Sequence, residues 1–435
     1  MNIKVETTYM NEEPTPALVP KLRFPEFRDA EGWTEKPIKA AAEINPANGG
    51  LPESFVYIDL ESVDAGELKA KERISRVGAP SRAQRLVEHG DIIYQVVRPY
   101  QRNNLLCEFD DNEIYVASTG YAQLRAKGSN RFLYQSIHTD SFVGRVIAKC
   151  TGSNYPAINS SDLAEIHLPI PPTLAEQQKI AECLSSVDEL MAAQTRKVDA
   201  LKTHKKGLMQ QLFPREGETQ PRLRFPEFKN AGEWKLRPLG ELVELQSGFA
   251  FSSSNFGSEG RKLVTPKNFT KHGHGNFDES VSKYTTEDVP ERFVCEPGDL
   301  LVLLTDLTPT CELLGKPLLL EEKDGTVLLN QRVVRVEPSA SKLEALFLKY
   351  VCLSETYSQR IIKTATGSTV KHSSNKVLQE MPLFHPALPE QQCIASCLSS
   401  LDALITAETQ KLEALKTHKK GLMQQLFPSP EKVEA

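Results

Sequence analysis

The fourteen residues LKTHKKGLMQQLFP occur twice in this chain, at 201–214 and again at 415–428. The likeness extends upstream, since residues 172–214 match residues 386–428 at 31 of 43 positions. A second pair, PKLRFPEFRDAEGW (20–33) and PRLRFPEFKNAGEW (221–234), stands near the start of each half. Between these bookends the two halves diverge strongly. A fold for this chain must therefore place one frame twice and let it hold two different inserts. At 435 residues, two or three domains are expected on length alone.

Residues 174–212 contain no proline, and their apolar positions follow a seven-residue period. One row is Ile180, Val187, Gln194, Leu201 and Leu208; the other is Leu184, Met191, Val198, Lys205 and Leu212. The second copy gives Ile394, Leu401, Glu408, Leu415 and Leu422, with Leu398, Ile405, Leu412, Lys419 and Leu426. A 3.5-residue spacing held over five heptads predicts a coiled-coil seam. Thr173 and Glu176 predict a capping box at the first start, and Pro389 suits the first turn of the second copy. Pro214 and Pro428 end both rods. Each rod is about 58 Å long at ~1.5 Å per residue. Approximate two-fold symmetry makes the pair antiparallel and brings Gln194 near Glu408. Gly207 and Gly421 cost about 1 kcal/mol each inside a helix, which predicts close backbone approach there.

The inserts read as mixed α/β. Short β-rich runs stand at 91–97, 113–119, 299–304 and 326–337, and amphipathic helical stretches at 131–148 and 345–363. The segments EHGDIIYQVVRP (88–99) and CEPGDLLVLLTD (295–306) resemble each other, and TGS recurs at 151–153 and 366–368.

Several chemistries find no residues here. There is no GxxxxGK[ST] loop, no Gly-rich dinucleotide turn and no Asn/Asp-Pro-Pro-aromatic stretch. Asp64, Glu67 and Lys69 have the spacing of a nuclease motif, but in so charged a chain they read as a solvated loop. His272 and His274 lack carboxylate or thiolate neighbours in sequence, and no metal site is expected. Cys393 and Cys397 stand four apart, yet Lys179 occupies the place of Cys393 in the first copy, so these cysteines read as small buried side chains. No apolar run reaches the length of a membrane span, and the polar start carries no signal-peptide core. A cytoplasmic protein is expected.

A formal net charge of −5 is unusual for a nucleic-acid binder. Local clusters nonetheless lie in both inserts and are scarce in the frame. The first insert offers Lys69, Lys71, Arg73, Arg76, Arg82 and Arg85, then Arg98, Tyr100, Gln101, Arg102 and Asn103. The second offers Arg261, Lys262, Lys267, Asn268, Lys271, His272 and His274, then Lys363, Lys371, His372, Asn375 and Lys376. Arg, Asn and Gln pair with base edges, and Lys suits phosphates.

Over nearly all of 20–428 the sequence resembles the specificity subunits of Type I restriction–modification systems. The PEFxxxxxW segments, the two GD[IL][IL] segments, the two TGS segments, and EQQKIAECLSSVDELMAAQ with EQQCIASCLSSLDALITAE carry that resemblance. It implies a mixed α/β fold with two tandem target-recognition domains, at 20–171 and 215–385, separated by conserved spacer helices at 172–214 and 386–428. Residues 1–19 and 429–435 are then tails. The resemblance implies that each domain reads half of a bipartite site on double-stranded DNA, and that the helices form an antiparallel coiled coil. It further implies two modification (methyltransferase) subunits and restriction subunits as partners. S-adenosylmethionine, Mg²⁺ and ATP would sit on those partners, with no cofactor, catalytic residue or membrane contact on this chain. Two rivals are a chain with intrinsic nuclease or methyltransferase activity and a coiled-coil scaffold that binds protein only.

Overall fold

The computed structural model describes residues 18–308, 310–367 and 370–428. The expected C-terminal tail, and all but the last two residues of the N-terminal one, lie outside the described residues. The chain divides into two units, Met1–Thr195 with Gln410–Ala435, and Arg196–Thr409. Each is mixed α/β, and the repeat in the sequence is a repeat of topology.

In the first unit an antiparallel sheet runs in the order Ala42–Ile44, Tyr121–Ala126, Ile92–Gln95 and Leu105–Leu106. In the second, Val243–Ser247, Val333–Pro338, Leu300–Leu303 and Pro317–Leu319 take the same order. The two GD segments thus lead into equivalent strands. Gly90 and Gly298 have φ of 87° and 98°, a left-handed turn that glycine adopts without a Cβ penalty. The following aspartates accept the Glu88 and Glu296 N–H groups at 2.8 and 2.9 Å. Each also faces an arginine on the neighbouring strand: Asp91 accepts both forks of Arg125 at 2.9 Å, and Asp299 lies 3.7 Å from Arg335. The motif is a turn that fixes its own strand.

Each unit adds a second sheet that differs in build. The first has four strands with one parallel pair, Ser54–Ile58 beside Tyr115–Ser118. The second has five. The apolar run expected at 326–337 is two strands: Val327–Leu329 belongs to the five-stranded sheet, Val333–Pro338 to the four-stranded one. The helical stretches are likewise broken. Asn130–Ser136 is followed by Asp140–Lys149, and Ala345–Leu353 by Glu355–Lys363. Thr139 and Ser354 cap the second member of each pair, accepting the Phe142 and Tyr357 N–H groups.

The long helices span Leu174–Leu212 and Leu388–Leu426. Within the first unit Ile180 and Leu184 pack with Leu426 and partly buried Leu422, while Asp188 meets Lys419 at 2.7 Å. Within the second unit Lys205 meets Asp402 at 2.5 Å and Lys197 meets Glu408 at 3.0 Å. In each unit the partner numbers fall as the first helix advances, so the pairing is antiparallel. No seam position is exposed, whereas Leu190 and Leu404, off the seam, are 58% and 41% exposed. The 3.5-residue period chose the right face. Both lysines that interrupt the seam are neutralised by aspartates one helix away, and these pairs occupy equivalent places in the repeat. Each aspartate takes one further hydrogen bond, Asp188 from the Gln135 amide at 2.9 Å and Asp402 from the Tyr350 hydroxyl at 2.8 Å.

Two local expectations fail. A Cβ at Gly207 or Gly421 would meet nothing within 4 Å, so no backbone approaches either glycine. The capping box is half formed: Thr173 accepts the Glu176 N–H at 3.2 Å, but the Glu176 carboxylate is taken by distant groups. Arg23 donates to it from Nε and Nη2, both at 2.8 Å, and the Trp33 indole at 3.1 Å. Arg23 also donates to the Ala30 and Glu31 carbonyls. The second unit repeats this lock: Arg224 and the Trp234 indole hold Glu390 at 2.8, 2.5 and 3.3 Å. The PEFxxxxxW segment and the EQQ helix start are two halves of one contact.

Candidate nucleic-acid interface

In both units the GD strand runs out into a loop that meets the TGS turn. Thr151 and Ala157 exchange backbone hydrogen bonds at 2.9 Å, and Thr366 and His372 do so at 3.0 and 2.9 Å. Gly152 and Gly367 sit at φ of 90° and 96° inside these turns, and a Cβ on Gly367 would fall 2.1 Å from the Val370 carbonyl oxygen. In the first unit the Arg98 N–H donates to the Pro156 carbonyl at 2.7 Å. In the second, Thr305 and Asp306 pair with His372 and Lys371. Ser368, the last residue of the second TGS, lies outside the described residues.

The loop 98–104 is stiffened by its own polar side chains. Gln95 donates to Gln101 at 2.9 Å, and its carbonyl accepts the Asn103 N–H at 3.2 Å. Asn103 accepts the Ala65 N–H at 3.4 Å. Arg102 reaches the His138 carbonyl at 3.0 Å and Asp140 at 2.6 Å. Burial pushes the His138 imidazole down to about 4. The neutral ring then donates from Nδ1 to the Tyr134 carbonyl at 2.6 Å and accepts the Asn104 amide at Nε2, 3.2 Å away. Arg98 and Arg102 are both left-handed, with φ of 55° and 56°, at a cost of about 1–2 kcal/mol each. What projects is Tyr100, 50% exposed, and Tyr155, 64% exposed, with the Arg98 guanidinium 4.3 Å over the Tyr155 ring. Of these residues, Gln101, Arg102 and Asn103 support the loop, Tyr100 faces outward, and Arg98 is half-buried.

The 69–85 cluster is largely engaged with carboxylates and carbonyls. Lys69 meets Glu67 at 2.7 Å and Lys71 meets Asp111 at 2.6 Å. Arg73 pairs with Glu113, and Arg76 donates to the Leu51 carbonyl at 3.2 Å. The nuclease-like spacing of Asp64, Glu67 and Lys69 resolves into a two-stranded ribbon, Val63–Asp64 with Glu67–Leu68. Arg85 is half-buried with its Nε unpaired, and Arg82 is exposed. Val77, between Arg76 and Arg82 in sequence, is 99% exposed.

In the second unit Asn268 is fully buried: it accepts from Thr265 and donates to the Asn276 carbonyl at 2.8 Å. Its role there is to hold a turn, since neither end of the amide faces solvent. Lys262 donates to the Asp324 carbonyl at 3.0 Å, Lys271 meets Glu312 at 2.6 Å, and His274 meets Glu321 at 3.2 Å. Arg261, Lys267 and His272 are exposed. Lys363 meets Glu216 at 3.1 Å and Lys376 lies 3.8 Å from Glu380. Lys371 and His372 follow the second TGS turn and pair with Asp306 and Thr305, where the loop equivalent to 98–104 begins; Lys371 donates to the Gly367 carbonyl at 2.8 Å and His372 meets Thr305 at 3.1 Å. Asn375 donates to Ser247 at 2.6 Å. Leu307, 59% exposed, is the outward residue of this second loop. Exposed ion pairs are worth about 0–1 kcal/mol, so they mark neutralised surface more than fixed structure.

Among the described residues no group of three or more His, Cys, Asp or Glu is placed to hold a metal ion. Cys183, Cys393 and Cys397 are free and half-buried, less enclosed than expected. No helix among the described residues is long and apolar enough to cross a membrane.

The family model described as Type I restriction modification DNA specificity domain matches residues 106–203 and 231–417. The chain belongs to this specificity family. It is 30% identical over 281 residues to the Type I restriction enzyme MjaVIII specificity subunit of Methanocaldococcus jannaschii, a match covering 63% of this chain and 64% of that relative, less than two thirds of its length. A solved specificity-family structure, the S subunit of a Type I system from M. genitalium, superposes with a TM-score of 0.59 at 15% identity, covering 95% of this chain and 100% of that one. Another, from work on assembly and conformational transition of the type I R-M system, gives 0.54 at 21% identity, covering 92% and 98%. Both likenesses bear on the fold.

Proposed function

We propose that this chain is the DNA sequence-specificity subunit of a Type I restriction–modification complex. Residues 20–171 and 215–385 are its two target-recognition domains, each reading half of a bipartite site. The paired helices at 172–214 and 386–428 set the spacer and dock two methyltransferase subunits, and restriction subunits join for cleavage. The observation that carries this reading is the repeat itself: one lock, one GD turn and one Lys–Asp seam pair recur in both units, while the projecting loops differ chemically. A frame kept the same twice suits two copies of one partner; loops that differ suit two different half-sites.

Adenine methylation and ATP-dependent cleavage belong to the partners, along with S-adenosylmethionine, Mg²⁺ and ATP. This chain contributes binding and no chemistry of its own. Cationic surface on those subunits offsets its net charge of −5, and the complex works in the cytoplasm, where the DNA is.

The test is methylome sequencing of a host expressing the chain with its methyltransferase subunit. Exchanging residues 235–385 for another insert should alter one half-site and leave the other intact; loss of both contradicts the modular reading. Removing one heptad from each long helix, so that the Lys–Asp pairs stay in register, shortens the rod by about 10 Å. That should change the spacer while both half-sites survive. A scaffold that binds only protein would give no salt-dependent DNA binding with or without partners.

A further inference from the structure

Arg98 is the one arginine of the first insert whose guanidinium lies over an aromatic ring, 4.3 Å from the Tyr155 centroid. Its backbone is fixed as well, by the left-handed conformation at φ 55°, ψ 53° and by the N–H bond to Pro156. The turn that carries Tyr155 is clamped by the Thr151–Ala157 bridge. On the other side, the loop is tied down through Arg102, Gln101 and Asn103. Arg98 itself makes no ion pair among the described residues, and its Nε is buried with no hydrogen-bond partner. A cation so constrained and so underused has been placed for a ligand. Strained, over-determined backbone of this kind persists where a clamp needs it.

We propose that Arg98, stacked on Tyr155, reads a guanine in the half-site recognised by the first unit. This rests on the DNA-reading role proposed above. Stacking leaves the in-plane edge of the guanidinium as a two-donor fork. In the major groove, guanine is the base that offers two acceptors, O6 and N7, on one edge, and Arg meets them bidentately. A phosphate asks only for charge, which needs neither an arginine laid over a ring nor a strained loop. The equivalent loop of the second unit presents Leu307 and no arginine, so this mode of reading is confined to one half-site.

The test uses the full-length chain in complex with its methyltransferase subunits. Methylation mapping of the wild type and of the 235–385 exchange first assigns the half-site read by the first unit. Competition binding then compares duplexes carrying single base-pair changes across that half-site. Wild type should prefer one guanine position by about tenfold to a hundredfold. Arg98→Gln and Arg98→Lys should flatten that one preference and leave the second half-site untouched, which also reports that the complex is folded. Tyr155→Phe should keep the preference, and Tyr155→Ala should weaken it. A half-site without guanine overturns the proposal, as does a variant that weakens every duplex equally, the sign of a phosphate contact. Failure of the wild type to methylate or bind any bipartite site would instead overturn the functional reading beneath it.

Discussion

Replacing Glu176 by glutamine tests whether the lock between the PEFxxxxxW segment and the long helix holds the first unit together. The carboxylate is 1% exposed and its partner Arg23 8%, so water cannot compensate either group. Glutamine keeps the shape. Its carbonyl can still accept from Arg23 Nε and from Trp33, but its amide would place donors against Nη2, and the arginine charge would be left unmatched. Breaking a buried pair from one side costs about 3–5 kcal/mol; the retained acceptor puts Glu176→Gln near the lower end, about 3 kcal/mol. The two tryptophans make the assay local, because each sits in one unit and donates to its own glutamate. In a Trp234→Phe background, urea unfolding followed by fluorescence reads Trp33 alone, and the midpoint should fall by roughly 1–2 M. The double variant Arg23→Met, Glu176→Met removes the unmatched charge but strips the Trp33 indole of its acceptor and the Ala30 and Glu31 carbonyls of their donor, so it should stay well below wild type. A midpoint for Glu176→Gln within error of wild type would refute the reasoning, and so would a double variant as stable as wild type.

The seam pair gives a parallel case in the second unit. Lys205 and Asp402 have side chains only 12% and 11% exposed, so Lys205→Met should destabilise that unit by about 2–4 kcal/mol by stranding the carboxylate, read by Trp234 fluorescence; adding Asp402→Leu should return only part of it, since the Tyr350 hydroxyl loses its acceptor. His138 gives a pH dependence with a definite sign. Its folded pKa of about 4 lies below the unfolded value near 6.5, so the unfolded chain takes up a proton that the folded one refuses. The stability is fully present above pH 6.5 and is lost as pH falls toward 4, at about 1.4 kcal/mol per unit. The His138→Gln variant should lack that slope, and equilibrium unfolding of both proteins at pH 7.5, 6 and 5 checks the difference.

The long helices could be read from the sequence because their signals are local and repeated: prolines at both ends and an apolar period that a single helix face must obey. The same kind of signal misled where a local pattern competed with a distant partner. Thr173 and Glu176 have capping-box spacing, yet the glutamate goes to Arg23, 153 residues away, because a full positive charge outbids a backbone N–H. The helix breaks at Thr139 and Ser354 were hidden by apolar periodicity that runs through them, although the capping residues were in plain view. The candidate interface was less legible. Composition found the cationic clusters, but whether a lysine faces a carboxylate such as Asp111 depends on a loop 40 residues on. Tyr155 was missed because a lone tyrosine beside a TGS turn has no pattern; only the stacked Arg98 gives it meaning.

The position where Gln135 and Tyr350 stand shows how one frame can hold unlike inserts. Each lies on the first helix of its insert's helical pair, and each donates one hydrogen bond to the aspartate that neutralises the seam lysine. One donor is an amide and the other a phenol, so the frame requires a donor at that point and not a particular residue. The frame's other polar contacts, the Arg–Glu–Trp lock and the Lys–Asp pair, are made entirely within the repeated text. An incoming insert therefore has few demands to meet: a strand pair at its ends, as Thr34–Pro37 with His167–Ile170 and Lys235–Pro238 with Pro382–His385, a glycine–aspartate turn with an arginine opposite, and one hydrogen-bond donor over the seam. Everything else, including the loops that project beside the TGS turns, is free to differ without disturbing the helices.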